Sequence, residues 1–99
     1  MLEAVLYPSK YKPDVFTGTA FFGGGRKYKM VAKSHGEKWV LFFEIKDKLK
    51  KCGVAFLFPK PEKVRGKKLY DQLGVVKLNG IDWTYLLVRD PDTGKILII

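Results

Sequence analysis

The strongest constraint on the fold is the dipeptide Asn79-Gly80, which lies between two segments rich in β-branched and other apolar residues, GVVKL and IDWTYLLVR. Asn-Gly readily adopts the two positive φ angles of a type I′ hairpin turn. A second turn signal, DPDTG at 90–94, precedes the apolar run KILII. The sequence therefore predicts a three-stranded antiparallel meander in the C-terminal third of the chain.

The N-terminal part of the chain also predicts strands. A strand near 2–7 precedes a loop with two prolines, and 15–22 is rich in β-branched and aromatic residues. Three glycines, 23–25, lead into 26–33, where lysines alternate with apolar and aromatic residues at the period of a half-buried strand. A phosphate-binding loop has a different glycine spacing and is followed by a helix. We therefore interpret the glycines as a hairpin turn.

The segment 34–53 predicts one main helix. Ser34 and Glu37 have the spacing of a capping box at its start. Apolar residues then recur at helical spacing, at Phe42, Ile45, Leu49 and Cys52. We predict a helix over 44–52, whereas KWVLFF at 38–43 suits a strand as well as a helix.

Together these segments predict an α+β fold, in which a mostly antiparallel sheet packs against one main helix. The chain has 99 residues and a hydrophobic content of 46%, enough for one core, so we expect a single domain over 1–99. No apolar run is long enough to span a bilayer as a helix. The N-terminal residues do not resemble a signal peptide, and the lone Cys52 gives no sign of export. We therefore expect an intracellular protein.

The net charge is +9, and the excess lies in the middle of the chain. Residues 26–68 carry fourteen basic and four acidic residues, whereas 1–25 are neutral and 69–99 carry one net negative charge. A segregated positive charge attracts polyanions, nucleic acid above all. The alternative is that the lysines only keep the surface soluble.

Two basic segments are the candidate phosphate contacts. On a strand, Lys27, Lys29 and Lys33 point to the same side, at steps of about 6.6 Å per two residues. Phe21 joins that side if the glycine turn has three residues, and it then offers a platform for a base. Arg26 lies at the tip of this turn. The second segment is a basic loop with the candidate contacts Lys63, Arg65, Lys67 and Lys68.

The lysine-rich stretch KDKLKK at 46–51 has a structural explanation. Glu44 precedes Lys48 by four residues, and Asp47 precedes Lys51 by four, which is the favourable order for helical ion pairs. Cations are also favoured near the C-terminus of a helix. We therefore leave these lysines out of the predicted interface.

No group of residues predicts catalysis or a cofactor. His35 is the only histidine and Cys52 the only cysteine, too few ligands for a structural zinc site. We expect a non-enzymatic protein without a metal. The last strands carry apolar residues on both faces, the run ILII among them. This predicts either a helix packed on one face or a second subunit, and we favour a homodimer.

In its compact length, its start MLEAVLY, its lysine-rich middle and its single asparagine and glutamine, the chain resembles the small uncharacterised proteins of filamentous viruses that infect hyperthermophilic archaea. Lysine enrichment with few amides is itself a hyperthermophile tendency. The resemblance implies a protein that acts in the host cytoplasm or the virion, and it carries over no site residue.

The predicted function is non-catalytic binding of DNA or RNA with low sequence specificity, through the strand at 26–33 and the loop at 60–68. The alternative is a protein-interaction module. In that case the apolar surfaces bind a viral or host partner, and the lysines serve only solubility.

Overall fold

Eight antiparallel strands form a closed barrel in the computed structural model, which describes residues 2–35, 38–57, 72–81, 84–90 and 92–99. Each strand pairs with the next along the chain. The strands are β1 (Leu2–Pro8), β2 (Val15–Phe22), β3 (Lys27–His35), β4 (Lys38–Ile45), β5 (Lys48–Leu57), β6 (Gln72–Leu78), β7 (Thr84–Arg89) and β8 (Ile96–Ile98). The ring closes where β1 pairs with β8.

The predicted α+β fold is wrong, because the described residues form strands and contain no helix. The segment 44–52 forms the end of β4, a turn and the start of β5. Ile45 pairs with Lys48 across that turn. The two turn residues, Lys46 and Asp47, have φ angles of 50° and 63°, as a two-residue hairpin turn requires. No helix that is long and apolar enough to cross a membrane is found in the described part of the chain.

The physical reason for the difference is the period at which side chains are buried. In β4, Trp39 and Leu41 are buried, whereas Val40 between them is only half-buried. The residues at 38–43, which suited either structure, are strand. Helical ion pairs contribute only about 0.2–0.5 kcal/mol each, whereas burying one large apolar side chain contributes about 1.5–3 kcal/mol. Burial therefore decides the structure of this segment.

The C-terminal meander is present, since β7 pairs with both β6 and β8. Its first turn differs from the predicted one. A two-residue turn at Asn79-Gly80 would pair Lys77 with Asp82, whereas Lys77 pairs with Thr84. Gly80 has a φ of 75°, but Asn79 is not among the residues with positive φ. The double positive-φ turn predicted here is found instead between β4 and β5.

Side chains from all eight strands fill the barrel interior. The largest fully buried ones are Leu2, Leu6, Met30, Leu41, Val76, Leu87, Ile96 and Ile98. Phe16 stacks on Trp39 near one end, with 4.7 Å between ring centroids. The interior is therefore a packed core, and the outer face and the ends of the barrel are left for binding.

Two glycines lie where neighbouring strands come very close. A Cβ atom at Gly18 in β2 would lie 1.7 Å from the backbone oxygen of Val5 in β1. A Cβ atom at Gly53 in β5 would lie 2.3 Å from the backbone oxygen of Lys77 in β6. Only glycine fits at these positions without moving the adjacent strand.

A β-bulge lies beside the second of these glycines. Leu41 pairs with Gly53, but the next residue, Phe42, pairs with Lys51, so Cys52 is an extra residue in β5. Bulges and strand glycines provide the bending that closes a sheet into a barrel. They therefore set the curvature of this part of the ring.

We expect Gly18→Ala to lower the free energy of unfolding by more than about 2 kcal/mol, because the added methyl would overlap the Val5 oxygen. Gly23→Ala is the matched control, since a Cβ atom there meets nothing within 4 Å. Its effect should stay within about 1 kcal/mol. Urea denaturation measures both changes. An equal loss in the two variants would contradict the close approach of β1 and β2.

Candidate nucleic-acid interface

The glycine turn places Phe21 on the same side of the sheet as the lysines of β3. The Phe22 amide donates a hydrogen bond to the Arg26 carbonyl oxygen at 2.8 Å, which leaves 23–25 as a three-residue turn. The second and third glycines have φ angles of 85° and 78°. Phe21 consequently pairs with Lys27, as expected for a turn of this length.

The lysines of β3 form a row on the outer face of the barrel. Met30 and Ala32 are fully buried in the core, so Lys27, Lys29 and Lys33 project outward. Lys27 and Lys29 are exposed, and Lys33 is half-buried. We call Phe21 and these three lysines the lysine face.

A shallow groove of about 530 Å³ runs along the lysine face between β2 and β3. Its walls include Thr17, Thr19, Phe21, Lys27 and Lys29. Phe21 is 46% exposed, so much of its ring is open to solvent. The groove thus combines an aromatic surface, two ammonium groups and two hydroxyl groups.

Glu44 reduces the charge of the lysine face at one point. Its carboxylate lies 3.2 Å from the Lys29 ammonium. The sequence predicted Lys48 as the helical partner of Glu44, but Lys29 is opposite Glu44 on the neighbouring strand. Both side chains reach solvent, so the pair contributes at most about 1 kcal/mol. Among the described residues, no carboxylate lies within 4.0 Å of the Lys27 or Lys33 ammonium.

The sequence analysis missed the contribution of β4 to this surface. The Lys33 ammonium lies 5.3 Å from the centroid of the Phe42 ring, within the range of a cation–π interaction. Lys51 pairs with Phe42 from the other side. Because the sequence analysis predicted a helix over 44–52, it predicted neither the Lys33–Phe42 contact nor the pairing of Lys51 with Phe42. The β-branched and aromatic residues of KWVLFF at 38–43 were the signal that favoured a strand.

Of the remaining predicted contacts, only Arg26 lies in the described part of the chain. Arg26 lines a separate depression at the end of the barrel, together with Phe22, Gly23 and Tyr28. The basic loop, with Lys63, Arg65, Lys67 and Lys68, lies outside the described residues. Of the predicted interface, the structure therefore describes only the strand half.

Burial controls the chemistry of the one cysteine. It raises the pKa of the Cys52 thiol from 9.0 to about 11, partly offset by a backbone hydrogen bond. The thiol therefore stays protonated at neutral pH and is a poor nucleophile. In the described part of the chain, no group of three or more His, Cys, Asp or Glu side chains is arranged to hold a metal ion.

Comparisons with known proteins identify no relative: no family model matches the chain, and neither the curated proteins nor the solved structures give a significant match. The resemblance to archaeal virus proteins stays a prediction. Any functional assignment therefore depends on the surface described above.

We expect Cys52 to react with iodoacetamide at pH 8.5 about 100-fold more slowly in the folded protein than in urea, because the folded thiol has the higher pKa. Because the pKa of the thiol is higher in the folded protein than in the unfolded chain, ionisation of Cys52 opposes folding at high pH. The contribution of the protonated thiol to the free energy of unfolding is therefore complete below pH 9 and falls as the pH rises towards about 11. Mass spectrometry follows the reaction, and Cys52→Ala is the blank. Equal rates in the two states would contradict the burial of the thiol.

Proposed function

We propose that this protein binds single-stranded nucleic acid, with low sequence specificity, through the lysine face. The observation that carries the proposal is the register that sets the exposed Phe21 opposite Lys27, at the end of a row of outward-facing lysines. A positively charged groove beside an aromatic platform is the usual surface for single strands. The proposal includes no catalytic step.

Charge supports a polyanion as the ligand. The whole chain carries +9, and Lys27 and Lys33 have no carboxylate partner among the described residues. Adjacent outward-facing lysines on one strand repel one another, and bound phosphates relieve that repulsion. Displacement of counterions from a nucleic acid then favours binding at low salt.

The exposed aromatic ring supports a single strand over a duplex. Bases in a duplex are stacked on each other, so their faces are closed to a protein side chain, whereas unstacked bases are free to stack on Phe21. The groove offers few groups that read base edges, chiefly the hydroxyls of Thr17 and Thr19. Low sequence specificity follows from this composition.

A second candidate function, a protein-interaction module, is favoured by a different part of the outer face. Phe56 and Leu86 are 44% and 40% exposed, and both pair with Val75 between them. This row of apolar side chains crosses three neighbouring strands. A second copy of the chain, forming the homodimer predicted from the sequence, or a different protein partner would bind at this apolar row.

Titration with fluorescent dT oligonucleotides at several salt concentrations tests the proposed function. We expect the double variant Lys27→Ala/Lys33→Ala to reduce the slope of log affinity against log salt by about 1.4, that is, about 0.7 for each lost phosphate contact. The matched control is Lys10→Ala/Lys12→Ala, which removes two exposed lysines from the loop between β1 and β2. An equal effect in the control would show that only net charge matters.

Phe21→Ala should weaken binding by about 1–3 kcal/mol without changing the salt slope, because it removes a stacking surface and no charge. Phe56→Ala, at a ring of similar exposure on another part of the barrel, is the control. Absence of binding at low salt would exclude the proposal. Sedimentation analysis of Leu86→Ser would then test the protein-interaction alternative.

We expect Glu44→Gln to tighten oligonucleotide binding and to steepen the salt slope by about 0.7, because the change releases Lys29 from its ion pair. The same titration measures this gain. If the lysines serve only solubility, Glu44→Gln will leave the titration unchanged.

A further inference from the structure

One end of the barrel forms an apolar cup. The turns β2–β3 and β4–β5 and the connection β6–β7 all lie at this end, because successive strands run in opposite directions. The cup has a volume of about 360 Å³. Its lining residues are Phe22, Tyr28, Phe43, Ile45, Lys50, Lys51, Cys52, Leu78, Asn79 and Ile81.

Three aromatic rings form a preformed wall of the cup. Phe22, Tyr28 and Phe43 contact one another, with ring centroids 5.5 to 5.7 Å apart. Ile45 and Ile81 stand at the opening and are 40% and 41% exposed. Large apolar side chains gathered at a concave opening gain stability when an apolar group covers them.

Cations stand beside this apolar wall. Lys50 pairs with Phe43, Lys51 pairs with Phe42, and both lysines line the cup. Phe43 with Lys50 and Phe42 with Lys51 pair in regular register, and the bulge at Cys52 comes after them, so the two lysines reach the cup from opposite sides of β5. No carboxylate is found among the described residues that line the cup. The cup is therefore apolar in its body and positively charged at its edge.

We propose that this cup binds a small organic monoanion with an apolar body, such as an aryl-alkyl or medium-chain carboxylate. The apolar body lies against the aromatic wall, and the carboxylate contacts Lys50 and Lys51. A volume of about 360 Å³ suits a small molecule. Asn79 is the one side-chain amide in the lining, so the cup has little to recognise the base edges of a nucleotide. The cup and the groove of the lysine face share Tyr28, but the lysines of the cup, Lys50 and Lys51, do not belong to the lysine face.

Titration of ¹⁵N-labelled protein with 4-phenylbutyrate, followed by NMR, tests the proposal. We expect saturable shift changes at the amides of residues that line the cup. The neutral 4-phenylbutanol should bind about 5-fold more weakly, because it lacks the charge that pairs with the lysines. Lys50→Ala should lower the affinity for the carboxylate by about the same factor and leave the alcohol unchanged.

Ile81→Ser should weaken both ligands about 10-fold, because it removes apolar surface from the opening. Ile81 is exposed, so this variant is expected to fold, and a thermal melt checks that it does. Lys10→Ala, at an exposed position in the β1–β2 loop, is the charge control.

Several results would overturn the proposal. They are shift changes that do not saturate, equal affinity for the carboxylate and the alcohol, and equal effects of Lys50→Ala and Lys10→Ala. If a dT oligonucleotide perturbs the same amides as 4-phenylbutyrate, the cup belongs to the nucleic-acid surface and the small-ligand assignment fails. Loss of oligonucleotide binding alone leaves the cup proposal standing, so the two failures are distinguishable.

Discussion

The packing of the barrel interior is the constraint on which the rest of the structure depends. Eight strands enclose a space of limited width, and side chains fill it. Large residues such as Leu6 and Met30 therefore share the interior with Ala4, Ala20 and Ala32, which are equally buried. Where two strands come closer still, even a methyl group is excluded and glycine is required.

This constraint separates the two sides of every strand into different roles. Inward residues hold the ring together, and outward residues are free to carry charge and exposed rings. On β3 the division holds for most residues: Met30 and Ala32 are fully buried and Lys27 and Lys29 reach solvent, while the outward Val31 is itself buried. The proposed binding surfaces lie on the outer face and at one end for the same reason. Substitutions there should affect binding more than folding.

The sequence predicted local features of the fold and missed those set by distant contacts. The three-residue glycine turn and the position of Phe21 followed from residues close in the chain, and both are present. The helix over 44–52 was wrong because its signals were capping and spacing, which contribute little energy beside burial. The pairing of Glu44 with Lys29 depends on which strands are neighbours. A local pattern does not contain that information.

The last strand of the ring has a consequence for how the barrel opens. β8 has three residues, and its seam with β1 pairs residues that lie ninety or more positions apart in the chain. Every other pair of neighbouring strands is joined directly along the chain. Closing the β1–β8 seam therefore costs the largest loss of chain entropy, and it gains one of the shortest runs of backbone hydrogen bonds in return. Thermal fluctuations should therefore part the cylinder first along this line, which then exposes two unpaired strand edges. Unpaired strand edges can pair with other chains, so opening of this short seam should favour aggregation.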